Sequence, residues 1–100
     1  MPRTSADYRL TPEALRDLES IWLDTLGEWG IEQAHRYIDD LTAAFEQLAN
    51  TPRIGAACDH IRKGYRRAGV GRHGIYYRVA EHGITVIRIL HDRMDVPRHL

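Results

Sequence analysis

YRRAGVGRHGIYYRVAEHGITVIRILH, residues 65–91, decides the fold. Within it Tyr65 to Val70, His73 to Ala80 and Ile84 to His91 read as three strands, the last dense in β-branched Ile84, Thr85, Val86, Ile87 and Ile89. Gly71-Arg72 and the Gly83 region supply the turns between them. Connections this short force an antiparallel meander. The sequence leaves the register open, because a turn of two residues and a turn of three present opposite faces of the strand to the core. Tyr76 and Tyr77, being adjacent, point to opposite faces, one into the core and one onto the outer side.

Upstream the period changes from two to 3.6. Thr11-Pro12-Glu13 opens a helix: the threonine hydroxyl caps it, and proline at the first position gives up no bonded N–H. Glu13 and Asp17 set negative charge near the positive end of the helix dipole. Leu15, Leu18, Trp22, Leu26 and Trp29 follow at steps of three and four, one apolar stripe. Gly30 ends the helix in a left-handed conformation. A second stripe, Ala34, Tyr37, Ile38, Leu41, Ala44, Phe45 and Leu48, runs to Asn50-Thr51-Pro52, where proline stops it. Two long helices with so short a link form an antiparallel hairpin. Asp7 to Leu10 reads as a short strand, Arg53 to Gly64 as a loop, and Asp92 to Leu100 as a polar tail. The order β-α-α-β-β-β predicts an α+β two-layer domain over residues 1–100: an antiparallel sheet of three strands, or four with the first, packed by one face on an α-helical hairpin. A chain of this length supports one core and has no room for a second domain.

The zero formal charge hides a polarity. Residues 1–50 carry four basic and ten acidic side chains, residues 51–100 ten and four, so the halves stand at −6 and +6. Either the second half presents a basic surface to an acidic partner or RNA, or the halves neutralise each other in the fold. The single cysteine, Cys58, excludes an intrachain disulfide and fits a reducing compartment. It sits in the loop with no evident orienting base, so a nucleophilic role is not expected. Met1 to Leu10 has no apolar leader-like core, and no run approaches a membrane span. A cytoplasmic protein is expected.

Three stretches resemble one family. YRLTPEALRDLESIW, residues 8–22, resembles the first strand and helix of ParE-type toxins. DHIRKGYRRAGVGRHGIYYRV, residues 59–79, looks like their central strands, and IRILHDRMD, residues 87–95, like their last strand and tail. The chain is thereby identified as a member of the RelE/ParE toxin superfamily, nearer its ParE branch. The resemblance implies a toxin of a bacterial type II toxin–antitoxin module, neutralised by a cognate ParD-like antitoxin whose flexible segment folds onto it in a toxin–antitoxin hetero-oligomer. It also implies DNA gyrase, a type II topoisomerase, as the target. The RelE branch instead cleaves messenger RNA on the ribosome, and that is the alternative.

Metal-free RNA cleavage needs a base, cations for the developing phosphate charge, and an acid. Arg62, Lys63, Arg66, Arg67, Arg78 and Arg88 would supply cations. The tail, however, reads Asp92-Arg93-Met94-Asp95 where RelE enzymes place a tyrosine, and its carboxylates repel phosphate. His91 is the one stand-in acid or base. The expectation is therefore a binding protein with no catalytic residues, no cofactor and no direct nucleic-acid contact. No CxxC or HxxxH spacing suggests a metal. Arg88, His91, Arg93 and Met94 are the candidates for the toxic contact. Trp29, Arg66, Arg67 and Arg78 are the candidates for antitoxin binding, tryptophan being enriched in binding hot spots. Trp22 and Tyr37 are expected in the core.

Overall fold

The computed structural model describes residues 7–100; the reading of Met1 to Ala6 lies outside them. Strand β1 (Asp7–Leu10) leads into helix α1 (Pro12–Trp29) and helix α2 (Ile31–Asn50). A 3₁₀ turn (Pro52–Ile54) and strand β2 (Ala56–Ala57) follow, then β3 (Tyr65–Val70), β4 (His73–Ala80), β5 (Gly83–His91) and a short helix α3 (Val96–His99). The sheet order is β1-β5-β4-β3-β2. The expected meander is present, and both its turns hold two residues: Val70 faces His73, and Ala80 faces Gly83.

The sheet departs from expectation in three ways. It has five strands, because β1 joins it and two residues of the predicted loop, Ala56 and Ala57, pair with Arg67 and Arg66. It is not wholly antiparallel, since β1 runs parallel to β5, with Asp7 opposite Gly83 and Leu10 opposite Val86. And β5 carries a bulge: Tyr76 faces Arg88 while Tyr77 faces Val86, leaving Ile87 as the extra residue.

Thr11 caps α1 as its sequence implies, its Oγ1 accepting from the Ala14 N–H at 3.0 Å. The same hydroxyl donates to the Ile87 carbonyl at 2.7 Å. Gly30 is the whole link between the helices, at φ 89° and ψ 176°. That is the extended positive-φ region open to glycine almost alone, rather than the left-handed helical one expected.

The core lies between the hairpin and one sheet face. Leu41, Phe45 and Leu48 of α2 and Ala14 and Ile21 of α1 meet Ile75, Tyr77, Ile84, Val86 and Ile89. The stripe read on α1 is thus rotated by a residue: Ala14 and Ile21 are buried, whereas Leu15 is 53% exposed. The reason is that α1 serves two interfaces. Ala14, Leu18 and Ile21 face the sheet, while Trp22 turns to α2 and stacks edge-on against His35 at 4.9 Å. Trp22 is half-buried rather than central.

Tyr77 points inward and Tyr76 outward, as adjacency requires, yet both are buried. Tyr76 belongs to a second apolar cluster with Cys58 and Leu90, covered by Ile61, Tyr65, Val96 and Leu100. The predicted polar tail therefore returns over the outer sheet face as α3. On the inner face the Tyr77 hydroxyl donates to the Pro52 carbonyl at 2.6 Å and accepts from the Gly55 N–H at 3.0 Å. Tyr77→Phe should leave both backbone groups unpartnered. The expected loss, read from urea unfolding, is about 2 kcal/mol; a loss below about 0.5 kcal/mol would mean that water replaces the phenol.

Candidate binding surfaces

The candidate residues are dispersed over the end of α1, both faces of the sheet, and β5 with the segment after it. Where β1 stops at Leu10, α1 takes over the β5 edge. The Asp17 carboxylate accepts from the Ile89 N–H at 2.9 Å and clasps Arg88 through two bonds, Nε to Oδ2 at 2.7 Å and Nη2 to Oδ1 at 2.8 Å. Asp17, read from sequence as a dipole-complementing acid, is thus a structural anchor. No spacing rule pairs residues 71 positions apart. Arg88 is largely spent on this contact, and the Asp17 carboxylate raises its pKa above the ordinary arginine value. Its remaining Nη1 donates to the His99 carbonyl at 3.2 Å.

At the far end of β5 the His73 and His91 rings meet edge-on, 5.2 Å apart. The Tyr37 hydroxyl lies 2.8 Å from the Val70 carbonyl and 2.7 Å from His73 Nδ1. Having one proton, it donates to the carbonyl and accepts from Nδ1–H, which fixes the His73 tautomer. His91 Nδ1 faces both an acceptor, Asp92 Oδ1 at 2.9 Å, and a donor, the Arg93 N–H at 3.1 Å. Neutral imidazole accepts from the amide; the protonated ring donates to the carboxylate. Beyond it Arg93 and Met94 project into solvent.

Burial, reinforced by the neighbouring His91 and opposed by Asp92, Asp24 and Asp17, lowers the His73 pKa from its usual 6.5. Such a group binds protons more readily when unfolded, so its stabilising contribution is intact above about pH 6.5. That contribution falls as the solution is acidified from there towards the folded-state value. His73→Gln should flatten this part of the urea-midpoint profile between about pH 5 and 7. An unchanged slope would assign the acid sensitivity to other groups.

These histidines form one wall of a cleft of about 700 Å³ between the α1–α2 link and the β3–β4 turn. Trp29, Glu28 and Asp24 stand on the hairpin side and Arg72 on the sheet side. Trp29 is 69% exposed; Ile31, two positions on, is 58% exposed, and Leu23, earlier in α1, is 62% exposed. The other antitoxin candidates lie elsewhere. Arg66 turns towards the 3₁₀ segment and donates to the Gly55 carbonyl at 2.6 Å. Arg67 and Arg78 share the outer face, since they stand opposite Tyr76 and Tyr65. Arg67 lies over the Tyr76 ring at 5.9 Å and bonds its hydroxyl, and Arg78 is exposed. Among the described residues no group of three metal-ligating side chains comes together.

The family model described as the ParE toxin of the type II toxin–antitoxin system parDE matches residues 8–96. The chain belongs to the ParE toxin family. It is 48% identical over 97 residues to toxin ParE1 of Mycobacterium tuberculosis, covering 96% of this chain and 99% of the relative. To toxin ParE1 of Caulobacter vibrioides it is 40% identical over 93 residues, covering 93% and 96%. Among solved structures, a chain of a chromosomal ParDE toxin–antitoxin system from P. aeruginosa superposes with a TM-score of 0.74. At 21% identity, over 89% of this chain and 98% of that one, it shares the fold. The β1-α1-α2 unit on its sheet is thus the ParE scaffold, and this ParE-family chain is a type II toxin. No helix among the described residues is long and apolar enough to cross a membrane.

Proposed function

We propose that this ParE-family toxin acts in the cytoplasm by binding rather than by catalysis: it inhibits DNA gyrase and is held inactive by a ParD-like antitoxin. The chain-long match to ParE toxins carries the reading. The partly buried Asp17–Arg88 clasp supports it, because Arg88, one of the cations an RNA-cleaving site would need, is committed to α1. The toxic contact is made by His91, Arg93 and Met94 at the end of β5, with Arg88 holding that end in place. The antitoxin lays an apolar helix along the exposed Leu23, Trp29 and Ile31 of the hairpin and reaches Arg67 and Arg78 with an extended segment. Arg66 serves the 3₁₀ turn.

The test is a gyrase supercoiling assay beside a ribosome-bound mRNA cleavage assay. Inhibited supercoiling, intact mRNA and relief by the antitoxin are expected; cleaved mRNA with normal supercoiling overturns the reading. Alanine at His91, Arg93 and Met94 together should weaken inhibition by roughly tenfold or more, the equivalent of about 1.4 kcal/mol of lost contact. The melting temperature should stay near that of the parent. Full potency in that variant would move the contact elsewhere.

A further inference from the structure

The second apolar cluster is assembled from two parts of unequal hold. Cys58, Tyr76 and Leu90 are fixed: Tyr76 and Leu90 sit in the β4–β5 ladder, and the Cys58 backbone bonds Tyr65, Ile61 and Arg62. They are 4%, 4% and 1% exposed. The cover is looser. The Asp92 N–H bonds the Arg72 carbonyl and the Met94 N–H bonds that of His91, but from Asp95 onward backbone bonds run only within the segment, Arg98 to Asp95 and Leu100 to Val96. A four-residue helix has no stability of its own. It is tied to the sheet by two half-buried side chains, Val96 and Leu100, and by bonds from Arg88 to the His99 carbonyl and from Arg62 to the Leu100 carbonyl.

We infer that residues 95–100 form a strap that lifts off the outer sheet face as a unit while the rest of the fold stays intact. Every tie is local to that face, and none reaches the cluster between hairpin and sheet. Opening uncovers Tyr76 and Leu90 and frees the Arg62 guanidinium, with Arg67 beside them. Arg88 stays in place because Asp17 holds it independently. The site thus revealed is apolar with a basic rim. It accepts a segment of the strap's own chemistry: two aliphatic side chains four positions apart, with main-chain carbonyls presented to arginine. This inference does not depend on the identity of the toxin's target.

Cys58, the single cysteine, reports the event. Burial raises its thiol pKa and slows its reaction while the cover is closed. In the full chain, maleimide labelling of Cys58 should proceed at a rate almost independent of urea well below the global transition, the signature of a local opening. A rate that climbs with the full unfolding slope from zero urea would overturn the proposal. Removing residues 96–100, or combining Val96→Ala with Leu100→Ala should the shorter chain not fold, should accelerate labelling by about tenfold. Adding a synthetic peptide of residues 93–100 to the shortened chain should slow it again. Labelling no faster in a folded variant would overturn the proposal, since the cluster would then be closed without the strap.

Discussion

Asp17→Ala should destabilise the fold by about 2–3 kcal/mol, far more than a surface acid on a helix. The carboxylate has three partners at once, the two nitrogens of Arg88 and the Ile89 amide. The side chains are only 14% and 20% exposed, so solvent screens the pair weakly. Truncation leaves a guanidinium and a strand N–H short of partners at the point where β1 no longer covers β5. Arg88→Ala should cost less, because Asp17 keeps the Ile89 amide. In a double-mutant cycle measured by urea unfolding, the coupling between the two positions should reach about 1–2 kcal/mol. Coupling near zero would mean that the clasp is incidental to the β5 edge. Toxicity lost in Arg88→Ala therefore has to be read against stability before it is assigned to a partner contact.

Gly83→Ala is the second large effect. Gly83 opens β5 at φ 137°, where an L side chain is strained. A Cβ there would lie 2.1 Å from the Asp7 carbonyl oxygen and 2.9 Å from its nitrogen. Both are backbone atoms of the paired strand and cannot rotate away. The substitution should expel β1 from the sheet and cost about 3 kcal/mol or more, with loss of amide protection at Tyr8 to Leu10. Gly27→Ala is the control. It sits in α1 with nothing within 4 Å of the added carbon, so it should be neutral or stabilising by up to about 1 kcal/mol. Equal effects at the two positions would contradict the pairing of β1 with β5.

The elements whose sequence carries a long period were legible. The Thr11-Pro12 start, the Pro52 stop and the alternation of Ile75, Tyr77 and Val79 place both helices and the central strands within a residue of their observed bounds. Features set by meetings between distant segments were not. Two residues of pairing at Ala56–Ala57 leave no periodic trace. The bulge at Ile87 breaks the alternation that would otherwise assign faces in β5. The rotation of α1 follows from its dividing its residues between the sheet and α2, a choice made by packing and not by hydropathy. The antitoxin candidates Trp29, Arg66, Arg67 and Arg78, grouped in the sequence reading, do not form one patch in the structure. Arg66 and Arg67, adjacent in β3, necessarily emerge on opposite faces, and Trp29 belongs to the hairpin end.

The parallel pairing of β1 with β5 has a consequence for the timing of biosynthesis. The Thr11 hydroxyl meets its partner carbonyl 76 positions later, and the last long strand made lies between the first strand and β4. A nascent chain emerging from the ribosome can form its helical hairpin early, but much of the sheet face it closes on, Ile84, Val86 and Ile89, arrives only with β5. Contacts of such long sequence separation slow folding. The closed conformation is thereby deferred until His91 has been made, well after the hairpin that packs on β5.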